Sequence, residues 1–217
     1  MVGLKVRMST SVVGGNGMEP LARARELADK AGLPIMVHIG NAPPPLGAVL
    51  DMLQKGDIVT HSFHGKPGGL SDFSREFLKA AERGVHFDVG HGASSFSYEK
   101  VPEIIDICDI DYSISTDIYA TNYETPVGSL FETMSKFLPL GLSISEVVRK
   151  TTTLPASVLN IPKDNLNPGS KANISLFTVA PNEKTLVDSE GYKIKPKEIL
   201  KPLGLIKGGK VVWKIGL

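Results

Sequence analysis

The chain has 217 residues, of which 41% are hydrophobic and 22% charged, and its net charge is +1. That balance is ordinary for a soluble globular protein with a real core, and it gives no electrostatic reason to expect nucleic acid or an anionic membrane as partner. No apolar run approaches the roughly 18 residues of a membrane span, and the single cysteine, Cys108, excludes an internal disulfide and fits a reducing cytoplasm.

Cys108 follows Ile104, Ile105 and Ile107, which suits a core position better than a nucleophile. The N-terminus interleaves charged with apolar residues, unlike a signal peptide. The expected location is therefore the cytoplasm.

The first element is MVGLKVRMST. Val2, Leu4, Val6 and Met8 alternate with Gly3, Lys5, Arg7 and Ser9, a period of two that predicts a strand over Val2–Ser9. Read alone, such a strand leaves Lys5 in water, because lysine is almost never fully buried. MEPLARARELADKAG then has helical spacing, an acidic first turn and Gly32 as a stop before Pro34. A strand over Pro34–Gly40 leads to a helix in PLGAVLDMLQKGD that stops at Gly56. A strand over Asp57–Phe63 precedes a helix in LSDFSREFLKAAERG, N-capped by Ser71 and ended by Gly84. Val85–Gly90 is the fourth strand, YEKVPEIIDICD a helix with Pro102 in its first turn, and Tyr112–Asp117 the fifth strand.

Short apolar strands alternating with helices, at close to the ~30 residues of a βα repeat, predict a parallel α/β sheet. A doubly wound open sheet and a (β/α)₈ barrel both fit. No G-x-G-x-x-G follows any strand, and GGNGME has the wrong spacing, so a dinucleotide site is not supported. Beyond Asp117 a long loop, IYATNYETPVG, leads to a helix through Phe137. SISEVVRKTTTLPASVLNI then reads as two helices broken at Pro155, with a capping box from Ser143 to Glu146. From Asn165 the sequence is rich in turns and short strands (KANISLFTV, YKIK, GGKVVWKI). This divides the chain into an α/β region over 1–164 and a small β-rich domain over 165–217.

Metal-capable residues close successive strands: IMVHIG ends on His38, DIVTHSFHG on His61 and YSISTDIYA on Asp117. The C-terminal ends of parallel strands are where α/β proteins build their sites. Taken singly, either histidine is more often bonded to backbone, and the aspartate could simply cap its loop. Together, each after an apolar strand body, they point to a site, and Lys5 lies toward the same end of the first strand.

On GLKVRMS, MVHIGNAP, DIVTHSFHG, FDVGHGASSFS, STDIYATN and NPGSKANISLF, the chain resembles the amidohydrolase superfamily, in particular its dihydroorotase-related amidohydrolase/deacetylase group. The resemblance implies that Lys5 is carboxylated and bridges metals, that His38 and His61 bind one of them, and that Asp117 binds the other and moves the proton. Chemistry agrees: an ammonium beside a dication is repelled, whereas a neutral amine adds carbon dioxide, and the carbamate is an anionic ligand able to span two metals. The implied cofactor is Zn²⁺ or another divalent transition metal, as one or two ions. The implied activity is hydrolysis of an amide or ester in a small acylated molecule. His91 between two glycines, Asn41 beyond His38 and Asn122 beyond Asp117 are the candidate substrate contacts. His64 is a source of hydrogen bonds behind the site, His86 is structural, and Asp88 is open between the two.

The family opens its barrel with a His-x-His pair. No two of this chain's five histidines (His38, His61, His64, His86, His91) are separated by one residue. Five βα units also fall three short of a barrel of about 250 residues. The resemblance thus implies a partial (β/α)₈ TIM barrel, strands four to eight, with a C-terminal β-rich domain. The alternative to an active hydrolase is a catalytically incomplete half-barrel, as a homo-oligomer or with a complementary N-terminal chain carrying His-x-His.

Overall fold

The computed structural model of the chain describes residues 1–108, 110–163 and 165–215, and at 107 and 108 the backbone only. Five strands, β1 (Leu4–Met8), β2 (Ile35–Ile39), β3 (Ile58–Thr60), β4 (His86–Asp88) and β5 (Tyr112–Ser113), form one sheet in chain order. Every pairing is parallel, so each connection must cross back over the sheet. The crossovers carry α1 (Thr10–Val13), α2 (Glu19–Ala31), α3 (Leu46–Asp51), α4 (Ser74–Glu82) and α5 (Lys100–Cys108). After β5 come α6 (Leu130–Ser135), α7 (Ile144–Thr151) and α8 (Thr153–Val158). The core position expected for the Cys108 side chain lies outside the described residues.

Helix ends follow local chemistry. α2 starts with Glu19 and Pro20 in its first turn and stops at Gly32, whose φ of 63° is left-handed, a conformation glycine adopts without a Cβ penalty. The Ser143–Glu146 capping box opens α7 as expected. Two expectations shift. Ser71 lies inside a 3₁₀ turn over Leu70–Phe73 rather than capping a helix, and α4 begins at Ser74; the tighter turn delivers Leu70 to the core. The break between α7 and α8 falls at Thr152, not Pro155. Pro155 sits instead in the first turn of α8, where a missing N–H costs nothing.

The register places Arg7 beside His38, His38 beside Thr60, Thr60 beside Asp88 and Asp88 beside Ser113. Neighbours in register share a face of the pleat. One face is therefore polar, with Lys5, Arg7, His38, Thr60 and Asp88. The other carries Val6, Met8, Val37, Ile39 and Phe87 into a core with helix residues such as Leu21, Leu50 and Phe77.

The C-terminal region holds β6 (Ile174–Pro181), β7 (Leu186–Val187), β8 (Lys193–Ile194), β9 (Glu198–Lys207) and β10 (Lys210–Lys214). β10, β9 and β6 form an antiparallel sheet, and β7 pairs with β8. Strand β9 is not among the strands expected from the sequence. It carries Pro202 and Gly204, which it absorbs where the register against β6 shifts between Leu176 and Phe177, as prolines in sheets require. Residues 161–163 and 165–171 are exposed, yet the core continues beyond them. Leu200 belongs to it, Phe177 packs against it, and Leu200 N donates to Ser135 Oγ on α6 at 2.9 Å. No helix among the described residues is long and apolar enough to cross a membrane.

Candidate active site at the strand ends

His38 is the fourth residue of β2, on the polar face. His61 and Asp117 follow β3 and β5, and both turn the backbone into the left-handed region, with φ of 69° and 44°. For a histidine that conformation is strained, and such strain collects at functional sites. Ser62 holds the turn: its N donates to Asp88 O at 3.1 Å and its Oγ to Val59 O at 2.8 Å. Asn122 holds the other, donating from Nδ2 to Asp117 O at 3.0 Å and accepting from Tyr119 N at 2.7 Å.

The rings of His38 and His61 meet edge to face with centroids 4.1 Å apart, and His61 Nε2 lies 4.0 Å from Asp117 Oδ2. His61 Nδ1 sits 2.5 Å from the Gly90 carbonyl. A carbonyl can only accept, so Nδ1 carries the proton and Nε2 keeps a lone pair. Nε2 is buried and has no hydrogen-bond partner. Gly90 is obligatory: a Cβ there would lie 2.2 Å from Thr60 Oγ1 and 2.9 Å from His61 Nδ1. Burial lowers the His38 pKa to about 3, helped by the adjoining His61 ring, which cannot share a second proton, and by the positive charges of Arg7, Lys5 and Lys66. Burial also lowers that of His61, against the Gly90 carbonyl and the Asp117 carboxylate. Both rings are thus neutral lone-pair donors at neutral pH.

Two neutral imidazoles, one with its buried Nε2 unpartnered, and a carboxylate suit a divalent transition metal. Among the described residues no three His, Cys, Asp or Glu side chains converge as a metal site, so these groups form a partial donor set. Lys5 stands exposed on the same face, and its charge acts on both histidines.

Arg7, His38, Lys66, Ser94, Asp117 and Tyr119 bound a cavity of about 240 Å³. Arg7 Nε donates to Ser9 Oγ at 3.3 Å and Lys66 Nζ to Ser94 Oγ at 3.4 Å. Among the described residues neither cation has a carboxylate within ion-pair distance. Burial and the Arg7 charge both lower the Lys66 pKa. Sequence reasoning singles out neither residue. The alternation that turns Lys5 inward turns Arg7 inward too, whereas Lys66, in a glycine-rich loop, has no periodic signal.

The expected substrate contacts fare differently. Asn41 is exposed, and its carbonyl accepts from Thr10 N and Oγ1. Asn122 is wholly buried and spends its amide on the Asp117 loop. His91 does not lie in an open mouth: it is fully buried against the Phe96 ring, with Nδ1 2.9 Å from Gly92 O and Nε2 2.7 Å from Lys136 Nζ. His64 accepts from Lys66 N at 3.2 Å, and His86 pairs with Ser113 Oγ at 3.1 Å. Asp88 faces inward and accepts from the hydroxyls of Thr60, Ser113 and Ser115.

Known proteins resemble this chain in sequence and in fold. A deacetylase of Enterococcus faecalis is 39% identical over 219 residues, covering 97% of this chain and 59% of its own. A deacetylase of Agrobacterium fabrum is 33% identical over 217 residues, covering 98% and 53%. Crystal structures of an adenine deaminase and of a dihydroorotase match with TM-scores of 0.91 and 0.90 and identities of 38% and 33%. Each covers 99% of this chain, which spans 60% and 57% of theirs. The chain thus spans little more than half the length of these relatives. The amidohydrolase family model matches residues 2–212, and the chain belongs to that family.

Proposed function

We propose that this chain carries the larger part of a metal-dependent hydrolase site for amide or ester bonds in small acylated molecules. The observation that carries the reading is the buried, unpartnered Nε2 of His61 beside His38 and Asp117. The deacetylase names of the relatives support deacylation, and the deaminase and dihydroorotase names keep deamination or opening of a cyclic amide as neighbouring options.

In this reading His38, His61, Asp117 and a carboxylated Lys5 hold one or two zinc-class ions. When bound, the metal supplies Lewis-acid polarisation of the scissile carbonyl and acidifies the attacking water. Asp117 Oδ2, on a side chain 39% exposed, takes the proton from that water and returns it to the leaving nitrogen or oxygen. Arg7 and Lys66, cations without a carboxylate partner, draw an anionic group of the substrate into the cavity. Asn41, exposed three residues after His38, is a candidate contact for a larger substrate.

The five strands correspond to strands four to eight of a (β/α)₈ barrel, followed by the β-rich domain from residue 165. β1 and β5 each pair with one neighbour among the described strands, and open edges invite pairing. Because the described residues form only a partial donor set, we take the complete site to need a second copy or a complementary chain carrying His-x-His, in the cytoplasm. Metal analysis with an acyl-hydrolysis assay tests both readings. The isolated chain should hold at most about one ion and gain activity on completion. Two tightly held ions in a monomer would remove the incomplete-site reading, and no metal and no hydrolysis in any assembly would remove the hydrolase.

A further inference from the structure

Lys136 caps the C-terminal end of α6 and is 1% exposed. Its Nζ donates to His91 Nε2 and to Pro126 O, each at 2.7 Å. Among the described residues no carboxylate lies within ion-pair distance of it, although Glu132 and Asp188 face it and favour its charge. Burying this amino group without an ion pair is costly, and an apolar side chain of the same length would avoid that cost. What Lys136 touches gives it a purpose.

Its first partner, His91, is the centre of Gly90–His91–Gly92. The Gly90 carbonyl fixes the His61 tautomer. Gly92 packs so closely on Asp117 that a Cβ would lie 3.1 Å from Oδ2, and Gly92 N donates to Thr116 O at 2.9 Å, one residue before Asp117. Its second partner, Pro126, belongs to the loop that leaves Asp117. That loop closes through Val127 N on Asn122 O, and Asn122 in turn binds Asp117 O. One lysine amino group thus ties together the two segments that hold His61 and Asp117.

We propose that Lys136 is a positioning residue: through Gly90–Gly92 and the Asp117 loop it holds His61 with Nε2 free and Asp117 at its side. The proposal rests on the hydrolase reading for its purpose but not for its geometry. His91 is the relay, which explains why a histidine at a strand end is buried away from the cavity.

The test compares the whole chain with Lys136→Met, which keeps length and removes the donor, and with His91→Leu, which keeps apolar volume against Phe96 and removes the acceptor. Lys150→Met is the control: Lys150 is also buried but binds Asp111 and Tyr112 O at the start of β5. Nitrogen-15 NMR of the metal-free chain reads the His61 tautomer, cobalt(II) titration reads affinity, and thermal melts report folding. The wild type should show one His61 tautomer, protonated at Nδ1. Lys136→Met and His91→Leu should mix the two tautomers and weaken cobalt binding about 10- to 100-fold, the usual cost of losing a ligand's outer support, while Lys150→Met changes neither. If folded Lys136→Met or folded His91→Leu keeps the wild-type tautomer, or if Lys150→Met disturbs it equally, the positioning role is wrong. A wild type that binds no cobalt would count against the hydrolase reading alone, since the tautomer still decides the role of Lys136.

Discussion

Two buried polar residues at opposite ends of the third strand show how differently this molecule treats its two rims. Asp57, before β3, is 1% exposed. Its Oδ1 accepts from Ile35 N at 2.8 Å, and its Oδ2 from Gln54 N at 2.8 Å and Arg25 Nη1 at 2.5 Å. Past the other end of the same strand, His61 is 0% exposed, in a left-handed turn, with Nε2 unpartnered. A satisfied buried charge is a staple, whereas an unsatisfied buried donor atom is a cost the fold tolerates where something binds. The N-terminal rim is sealed for stability and the C-terminal rim is left chemically open, the division expected of parallel α/β enzymes.

On the proposed hydrolase reading, removing a metal-holding side chain from the open rim should have the largest effect. His61→Ala and Lys5→Ala should each lower metal affinity at least ~100-fold, more than losing an outer hydrogen bond does, and abolish hydrolysis in any active assembly. Short-chain carboxylic acids should partly restore Lys5→Ala, because a free carboxylate can enter in place of the carbamate. Metal content and rate are the measurements. Lys5→Ala with near-normal values of both would return that residue to an ordinary surface strand.

The sealed rim should respond in the opposite currency. Asp57→Ala leaves Arg25 with only the exposed Asp29 and strands the Ile35 and Gln54 N–H groups, a loss worth about 3 kcal/mol. Urea unfolding should show that drop, while the protein that remains folded binds cobalt as the wild type does. If Asp57→Ala weakened metal binding in the folded fraction, the two rims would not be independent.

Acidity sharpens the contrast further. Burial and then the Lys136 charge lower the His91 pKa to about 3, and burial lowers that of Lys136 to about 7 despite Glu132 and Asp188. Both folded values lie below the unfolded ones, so the unfolded chain takes up protons that the folded chain refuses. Stability should therefore be lost as pH falls from 6.5 toward 3 through His91, and should rise from 7 toward 10 through Lys136. Each slope is at most about 1.4 kcal/mol per pH unit. Urea midpoints across pH measure both, and Lys136→Met should flatten the alkaline slope.

Much of the open rim is legible in the sequence. Period-two alternation marks the face of Lys5, and position at a strand end marks His38, His61 and Asp117, because a parallel sheet in chain order carries all its strand ends to one rim. What escapes depends on contacts far apart in the chain. Lys136 meets His91 across 45 residues, and no local pattern encodes that pair. His91 and Asn122 mislead for a related reason: both follow strand ends, but a buried partner or a loop turn claims each side chain. β9 is hidden by Pro202, which reads as a break until a bulge accommodates it.

The smallest effects should come from the cavity cations, and they should differ. Arg7 stands on a strand and offers a planar fork suited to a carboxylate or phosphate. Lys66 stands on a loop, half-buried, and offers a mobile point charge. In an assembly that hydrolyses acylated substrates, Arg7→Met should raise KM for an anionic substrate about 10-fold, the effect of one charge-assisted bond of ~1.4 kcal/mol. Lys66→Met should raise it about 3-fold, within the range of a solvent-screened pair. Neither should change kcat, because both charges hold a part of the substrate that does not react. An uncharged substrate of the same acyl group supplies the control, since neither variant should alter its KM. Equal losses for charged and uncharged substrates would mean that Arg7 and Lys66 shape the rim without contacting the substrate.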